Sequence, residues 1–201
     1  MSIEFIDKPG AGKKVEIIGI PLGFGAGQTG SELGVEAMRL SSIRGKHLID
    51  HIHDLGYDVT DFGDVEIVKP NGPALENENP KYLPEMLASC RNMAATLKGV
   101  LGNGSLPVIL GGDHSIAIGT LSGISSHFRE RDEEIGLIWF DAHADINTPE
   151  SSDSANVHGM PLATLLGYGN DDLVSIEGFS PKLNPKYCAH VGARDLDAGE
   201  K

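Results

Sequence analysis

Short apolar runs alternate with stretches of helical periodicity along almost the whole chain, and this alternation limits the fold more than any other feature. Val15 to Pro21, Tyr57 to Phe62, Leu106 to Leu110 and Leu137 to Phe140 read as strands, with Tyr187 to Gly192 a weaker one. Gly34 to Leu55, with Val35, Met38, Ile43 and Leu48 among its apolar positions, reads as one long helix. Leu83, Leu87, Cys90, Met93, Leu97 and Leu101 recur three or four apart, and Gly102-Asn103-Gly104 stops that helix. Ser115 to Ser126 has a helical pattern, and Pro161 opens a further helix over Leu162 to Leu166. Strands separated by helices predict an α/β fold of three layers, a mainly parallel sheet flanked by helices. Neither an internal repeat nor a linker divides the 201 residues, so a single domain over 1–201 is expected.

In such sheets, sites lie beyond the carboxyl ends of the strands. Two polar motifs fall there. Gly111-Gly112-Asp113-His114-Ser115 follows one strand, and Asp141-Ala142-His143-Ala144-Asp145-Ile146-Asn147 follows another. In an extended backbone Asp141, His143 and Asp145 would point to one side. Carboxylates held that close are costly without a cation, so with His114 the set reads as a metal platform. Nitrogen and oxygen donors without thiolate suit manganese, iron or zinc, and the carboxylates favour manganese. A metal-bound water ionises near neutrality, which points to metal-assisted hydrolysis. The hydroxyl- and amide-rich loop Asn147 to Gly159 suits a polar ligand, and His158 within it suits proton transfer.

Composition narrows the partners. The net charge of −13 argues against nucleic acid and anionic membranes. The two cysteines, Cys90 and Cys188, lie far apart and predict reduced thiols. With no apolar stretch of membrane-spanning length and no signal-like N-terminus, a cytoplasmic location is expected.

The motifs Gly111 to Ser115, Asp141 to Asp145 and Asn156-Val157-His158-Gly159-Met160-Pro161 resemble the signatures of the ureohydrolases. Asp145 to Pro149 and the serine-rich loop are similar to arginases more than to agmatinases or formimidoylglutamases, and Arg194 to Glu200 looks like a further arginase motif. The resemblance runs from Val15 to Lys201. It implies an arginase/deacetylase-like fold and hydrolysis of L-arginine to L-ornithine and urea by hydroxide bridging two Mn2+ ions. His114, Asp141 and Asp145 would hold one ion, and Asp141 and His143 the second. Asp145 and His158 would be the catalytic residues, His158 as proton shuttle. Asn147, Ser152, Ser154 and Asn156 would receive the carboxylate end of the substrate, and Asp197 and Glu200 its α-amino group. A homo-oligomer, trimer or hexamer, is implied for a complete arginase.

Two departures stand out. Ala198 occupies a position where arginases often carry proline, and the second Asp-x-Asp pair that the family carries on a later strand is not among these residues. The expectation is the N-terminal portion of an arginase-like domain, incomplete on its C-terminal side, with weak metal binding. An agmatinase-type enzyme, or a non-catalytic paralogue that binds partner subunits, are the alternatives.

Overall fold

The computed structural model describes residues 8–201. Lys14–Ile20 (β1) lies between Asp58–Asp64 (β2) and Ser105–Gly111 (β3), parallel to both. Leu137–Phe140 (β4) and Cys188–Val191 (β5) form a second parallel pair, Leu137 opposite Cys188 and Phe140 opposite Val191. The helices are Gly34–Leu40 (α1), Leu48–Asp54 (α2), Leu83–Gly102 (α3), Ile116–Arg129 (α4), Pro161–Leu165 (α5) and Asp171–Val174 (α6). The parallel α/β arrangement is therefore present, but in two pieces. Among the described residues no backbone ladder joins β3 to β4.

β1 is nearly continuous apolar sequence because both of its faces are covered. On one face Ile18 and Ile20 pack with Met86, Cys90, Met93 and Leu97 of α3 and Ile118 of α4. On the other, Ile17 packs with Val35 of α1 and Leu110 of β3. A separate cluster lies under β4, where Trp139 meets Ala117 of α4, Leu162 and Leu165 of α5, and Leu183. Helix α4 contributes to both clusters and so connects the two sheets.

The helix expected over residues 34–55 is two helices. Arg44 and Gly45 take φ of 55° and 77°, outside the helical region, and Ile43 and Lys46 form an isolated bridge. Apolar spacing misled here because Met38 and Ile43 are 50% and 69% exposed. The segment Ser41-Ser42 just upstream favours competing local hydrogen bonds, and the Ser41 hydroxyl donates to Ala37 O at 2.5 Å. The short helix α6 had no apolar period to announce it. Asn170 caps it by accepting from Asp172 N and Leu173 N.

Helices α3 and α4 approach closely because glycine permits it. A Cβ at Gly123 would lie 2.4 Å from Ala94 O, and one at Gly119 would lie 2.8 Å from Cys90 Cα. Both glycines sit one turn apart on the face of α4 that meets α3. Gly123→Ala should therefore destabilise the fold by roughly 1–3 kcal/mol through overpacking. Gly99→Ala in α3, where an added Cβ meets nothing within 4 Å, should be neutral or stabilising by up to about 1 kcal/mol. Urea unfolding of the two variants checks the contrast.

Candidate metal and substrate site

The end of β3 is fixed by backbone bonds from Gly112 N to Ile20 O (3.2 Å) and Asp113 N to Leu22 O (2.8 Å). The buried Asp113 carboxylate then accepts from Ala26 N at 3.0 Å and Ser115 N at 2.9 Å. This anchors the backbone on either side of His114, whose ring stacks on Trp139 of β4 with centroids 4.3 Å apart.

Beyond β4 the ladder continues for one bond, Asp141 N to Val191 O at 3.1 Å, and then the chain turns. Asp141 Oδ1 accepts from His143 N at 2.9 Å, a local carboxylate-to-backbone turn. Asp145 sits in the left-handed region at φ 53°, a conformation that non-glycine residues keep only where neighbours enforce it. Three bonds enforce it here. Asp145 N donates to Glu200 Oε1 at 2.7 Å, and Asp145 O accepts from Leu162 N and Ala163 N at the start of α5.

The result differs from the extended alternation that the spacing suggested. Asp141 and Asp145 converge through a turn and a left-handed residue, and both meet His114, while His143 reaches Asp141 alone of the two. His114 Nδ1 lies 3.0 Å from Asp141 Oδ2 and 2.6 Å from Asp145 Oδ2. The three donor atoms lie within 4.8 Å of one another. His143 is more exposed and stands beside this group, its Nδ1 3.3 Å from Asp141 Oδ1 and its Nε2 3.6 Å from Asp195. Asp145 Oδ2 is buried and, despite its closeness to His114, has no aligned hydrogen-bond donor. An imidazole nitrogen within 3.0 Å of two carboxylate oxygens gathers three donors that a common ion could share. The donor set fits a hard divalent metal.

Burial works against protonation of His114, but the carboxylates of Asp145 and Asp141 outweigh it and raise its pKa above the ordinary histidine value. For Asp141, burial opposes ionisation, and the His143 amide together with the His114 and His143 charges overcomes it, lowering its pKa.

A cavity of about 370 Å³ opens beside the cluster. His143, Asp145, Asn147, Ser152, Ser154, His158, Asp197 and Glu200 line it, all of them named from the sequence. Asp153 and Asp195 line it as well and had not been singled out. Asp195 was legible only as a neighbour of Asp197 in the Arg194-to-Glu200 motif. Among the described residues no lysine or arginine lines the cavity, so its field is acidic.

Asn156 lies outside the lining. Its amide nitrogen donates to Ala26 O and its oxygen accepts from Lys81 Nζ, both at 3.2 Å, so it ties its loop to the segments around residues 26 and 81. Asn147 is buried and its amide is engaged, donating to Asp197 Oδ2 and accepting from the Ser151 hydroxyl, both at 2.8 Å. Asp197 and Glu200 lock each other reciprocally: Glu200 N donates to Asp197 Oδ1 at 3.0 Å, and Asp197 N to Glu200 Oε2 at 3.2 Å. His158 Nδ1 lies 3.2 Å from Gly25 O, which must be accepting, so Nε2 is the nitrogen left with a free lone pair.

Parallel strands whose carboxyl ends gather a histidine and two aspartates beside an acidic cavity define an α/β protein with a candidate metal site. The chain belongs to the arginase family, whose model matches residues 13–201. The arginase of Bacillus subtilis is 42% identical over 190 residues, and that of Bacillus caldovelox 40%; each alignment covers 94% of this chain. The chain spans 60% of the length of each of these curated relatives. Crystal structures of the two superpose with TM-scores of 0.83 and 0.84. An Entamoeba histolytica arginase structure in complex with L-ornithine is 30% identical with a TM-score of 0.76.

The carboxylate 2.6 Å away makes His114 the best reporter of this cluster. In the metal-free chain a raised pKa means that the contribution of His114 to stability is present below its unfolded value and is lost as pH rises through the folded one. Asp145→Asn removes the nearest carboxylate and should move the His114 titration midpoint to lower pH. An NMR titration of the ring protons against the parent measures the displacement.

Proposed function

We propose that this chain carries the first half of an arginase centre, one that binds Mn2+ and the guanidinium amino acid L-arginine for hydrolysis to L-ornithine and urea. The observation that carries the reading is the convergence of His114 Nδ1 with the Asp141 and Asp145 carboxylates into a three-donor cluster. His114, Asp141 and Asp145 would hold one ion, and Asp141 with His143 would serve the second. When bound, the metal supplies hydroxide at neutral pH.

The remaining work falls to the protein. The acidic cavity favours a cationic substrate over an anionic one. Asp197 and Glu200, held rigid by their mutual bonds, present carboxylate oxygens for an ammonium. The Ser152 and Ser154 hydroxyls and the Asn147 amide offer donors for a carboxylate. His158, its Nδ1 proton directed to Gly25 O, would use Nε2 to carry a proton toward the departing amine. A small-molecule substrate, a homo-oligomeric assembly and a cytoplasmic setting accompany this reading. Among the described residues no helix is long and apolar enough to cross a membrane.

The family's second Asp-x-Asp pair, carried on a later strand, is not among these 201 residues, and a polypeptide of these residues alone would lack the carboxylates that complete the metal shell. Loss of groups that complete a metal shell costs at least 10- to 100-fold in affinity or activity. The purified 201-residue chain should therefore release urea from L-arginine, in the presence of manganese, at a rate on the order of 100-fold or more below that of the whole B. subtilis arginase. Turnover equal to the whole relative would show that the second pair is dispensable. Any residual activity should vanish in Asp141→Asn.

Substrate competition separates arginase from agmatinase. Agmatine has no carboxylate for Ser154 and Asn147 to bind, so arginine should be the better substrate, and a preference for agmatine would overturn the arginase assignment. A second reading, as a subunit-binding paralogue without turnover, draws on Ile138 and Phe140 of β4, 75% and 82% exposed. Urea production by the purified chain alone would remove its basis.

A further inference from the structure

Backbone bonds fix the main chain of His114 but do not by themselves set the plane of its ring. The bonds of Asp113 and the bond from Ala117 N to His114 O at 3.1 Å hold the main chain, while the imidazole still has its own rotations. Trp139 meets that ring nearly face to face, with 18° between the planes. The indole is only 5% exposed, packed among Ala117, Leu162, Leu165 and Leu183. Its Nε1–H finds no acceptor among the described residues. The indole therefore offers His114 its face and no hydrogen bond.

We propose that Trp139 is the positioning residue for His114: its face holds the imidazole plane so that Nδ1 stays turned toward Asp141 and Asp145, and it favours the ring when a metal is coordinated. The proposal rests on the metal reading of the cluster. Coordination to a divalent cation draws electron density from an imidazole, and the face of an indole is the strongest aromatic platform for an electron-poor partner. The same residue closes the apolar cluster below β4. Metal site and core thus meet through a single side chain.

The test uses the 201-residue chain and needs no turnover. In the metal-free protein, the His114 ring protons should be displaced upfield by the indole ring current. Trp139→Phe should keep much of that displacement and Trp139→Leu should lose it. If the His114 ring shifts are unchanged in Trp139→Leu, the positioning role is overturned whatever the metal does. Manganese affinity, measured calorimetrically, should stay within about threefold of the parent in Trp139→Phe and fall roughly tenfold in Trp139→Leu, the range of an aromatic stacking contribution. Equal affinity in parent and leucine variant, or equal loss in both variants, overturns it.

Trp139 is the single tryptophan of the chain, which supplies a readout that holds even if the leucine variant does not fold. Paramagnetic Mn2+ should quench its emission with the midpoint of the calorimetric isotherm, and His114→Ala should abolish the quenching. Manganese binding without quenching overturns the proposal. Upfield His114 shifts in a parent chain that binds no manganese would instead overturn the metal reading and leave the stacking geometry intact.

Discussion

The contact among His114, Asp141 and Asp145 is the constraint on which the rest of the site depends. It is assembled from the ends of two sheets that share no backbone ladder among the described residues. Each side chain is delivered by a different device. His114 is anchored through the bonds made by its neighbour Asp113, Asp141 continues the β4–β5 ladder by one bond, and Asp145 is held left-handed from both directions. Two carboxylates this close repel unless something positive lies between or beside them, and within the protein itself the histidine is the nearest candidate. That is why burial and charge pull the His114 pKa in opposite directions and the charge prevails.

The same geometry explains why the substrate side is so densely cross-bonded. Glu200 reaches Asp145 N, and Asp197 reaches Asn147, so the turn at residues 197–200 is tied to the metal-facing loop at two points. A shift in either loop would be felt in the other. Residues that would recognise the α-amino end of a substrate are therefore also residues that hold Asp145 in its left-handed conformation. Recognition and metal geometry are parts of one hydrogen-bond network.

Most of the site was legible in the sequence because it is written in short motifs directly after strands, where parallel sheets place their chemistry. Apolar runs located β1, β3 and β4; burial explains the run in β1, whereas β4, read from sequence as a buried strand, buries Trp139 and leaves Ile138 and Phe140 exposed. What could not be read was conformation within the motifs. Spacing alone put Asp141, His143 and Asp145 on one side, whereas the turn made by Asp141 and the positive φ of Asp145 gather Asp141 and Asp145 on His114 and leave His143 beside Asp141 only. The family resemblance implied a substrate contact for Asn156, and in the folded chain its amide is bonded to Ala26 and Lys81. The break between α1 and α2 was hidden by apolar residues that turn out to face solvent, because periodicity reports a possible face and not what covers it. The separation of the sheet into two pieces was equally invisible, since partner choice between strands depends on contacts distant in sequence.

One consequence follows from that separation. Where side chains and not strands join two halves of a molecule, an ion gripped by both halves is a fastener as well as a reagent, and its binding free energy adds to the stability of the folded chain. β4 pairs only with β5 among the described residues, and Ile138 and Phe140 lie open on its outer face. Losing such an ion would loosen the seam, so that the site would bear on the folding of the chain as well as on its chemistry.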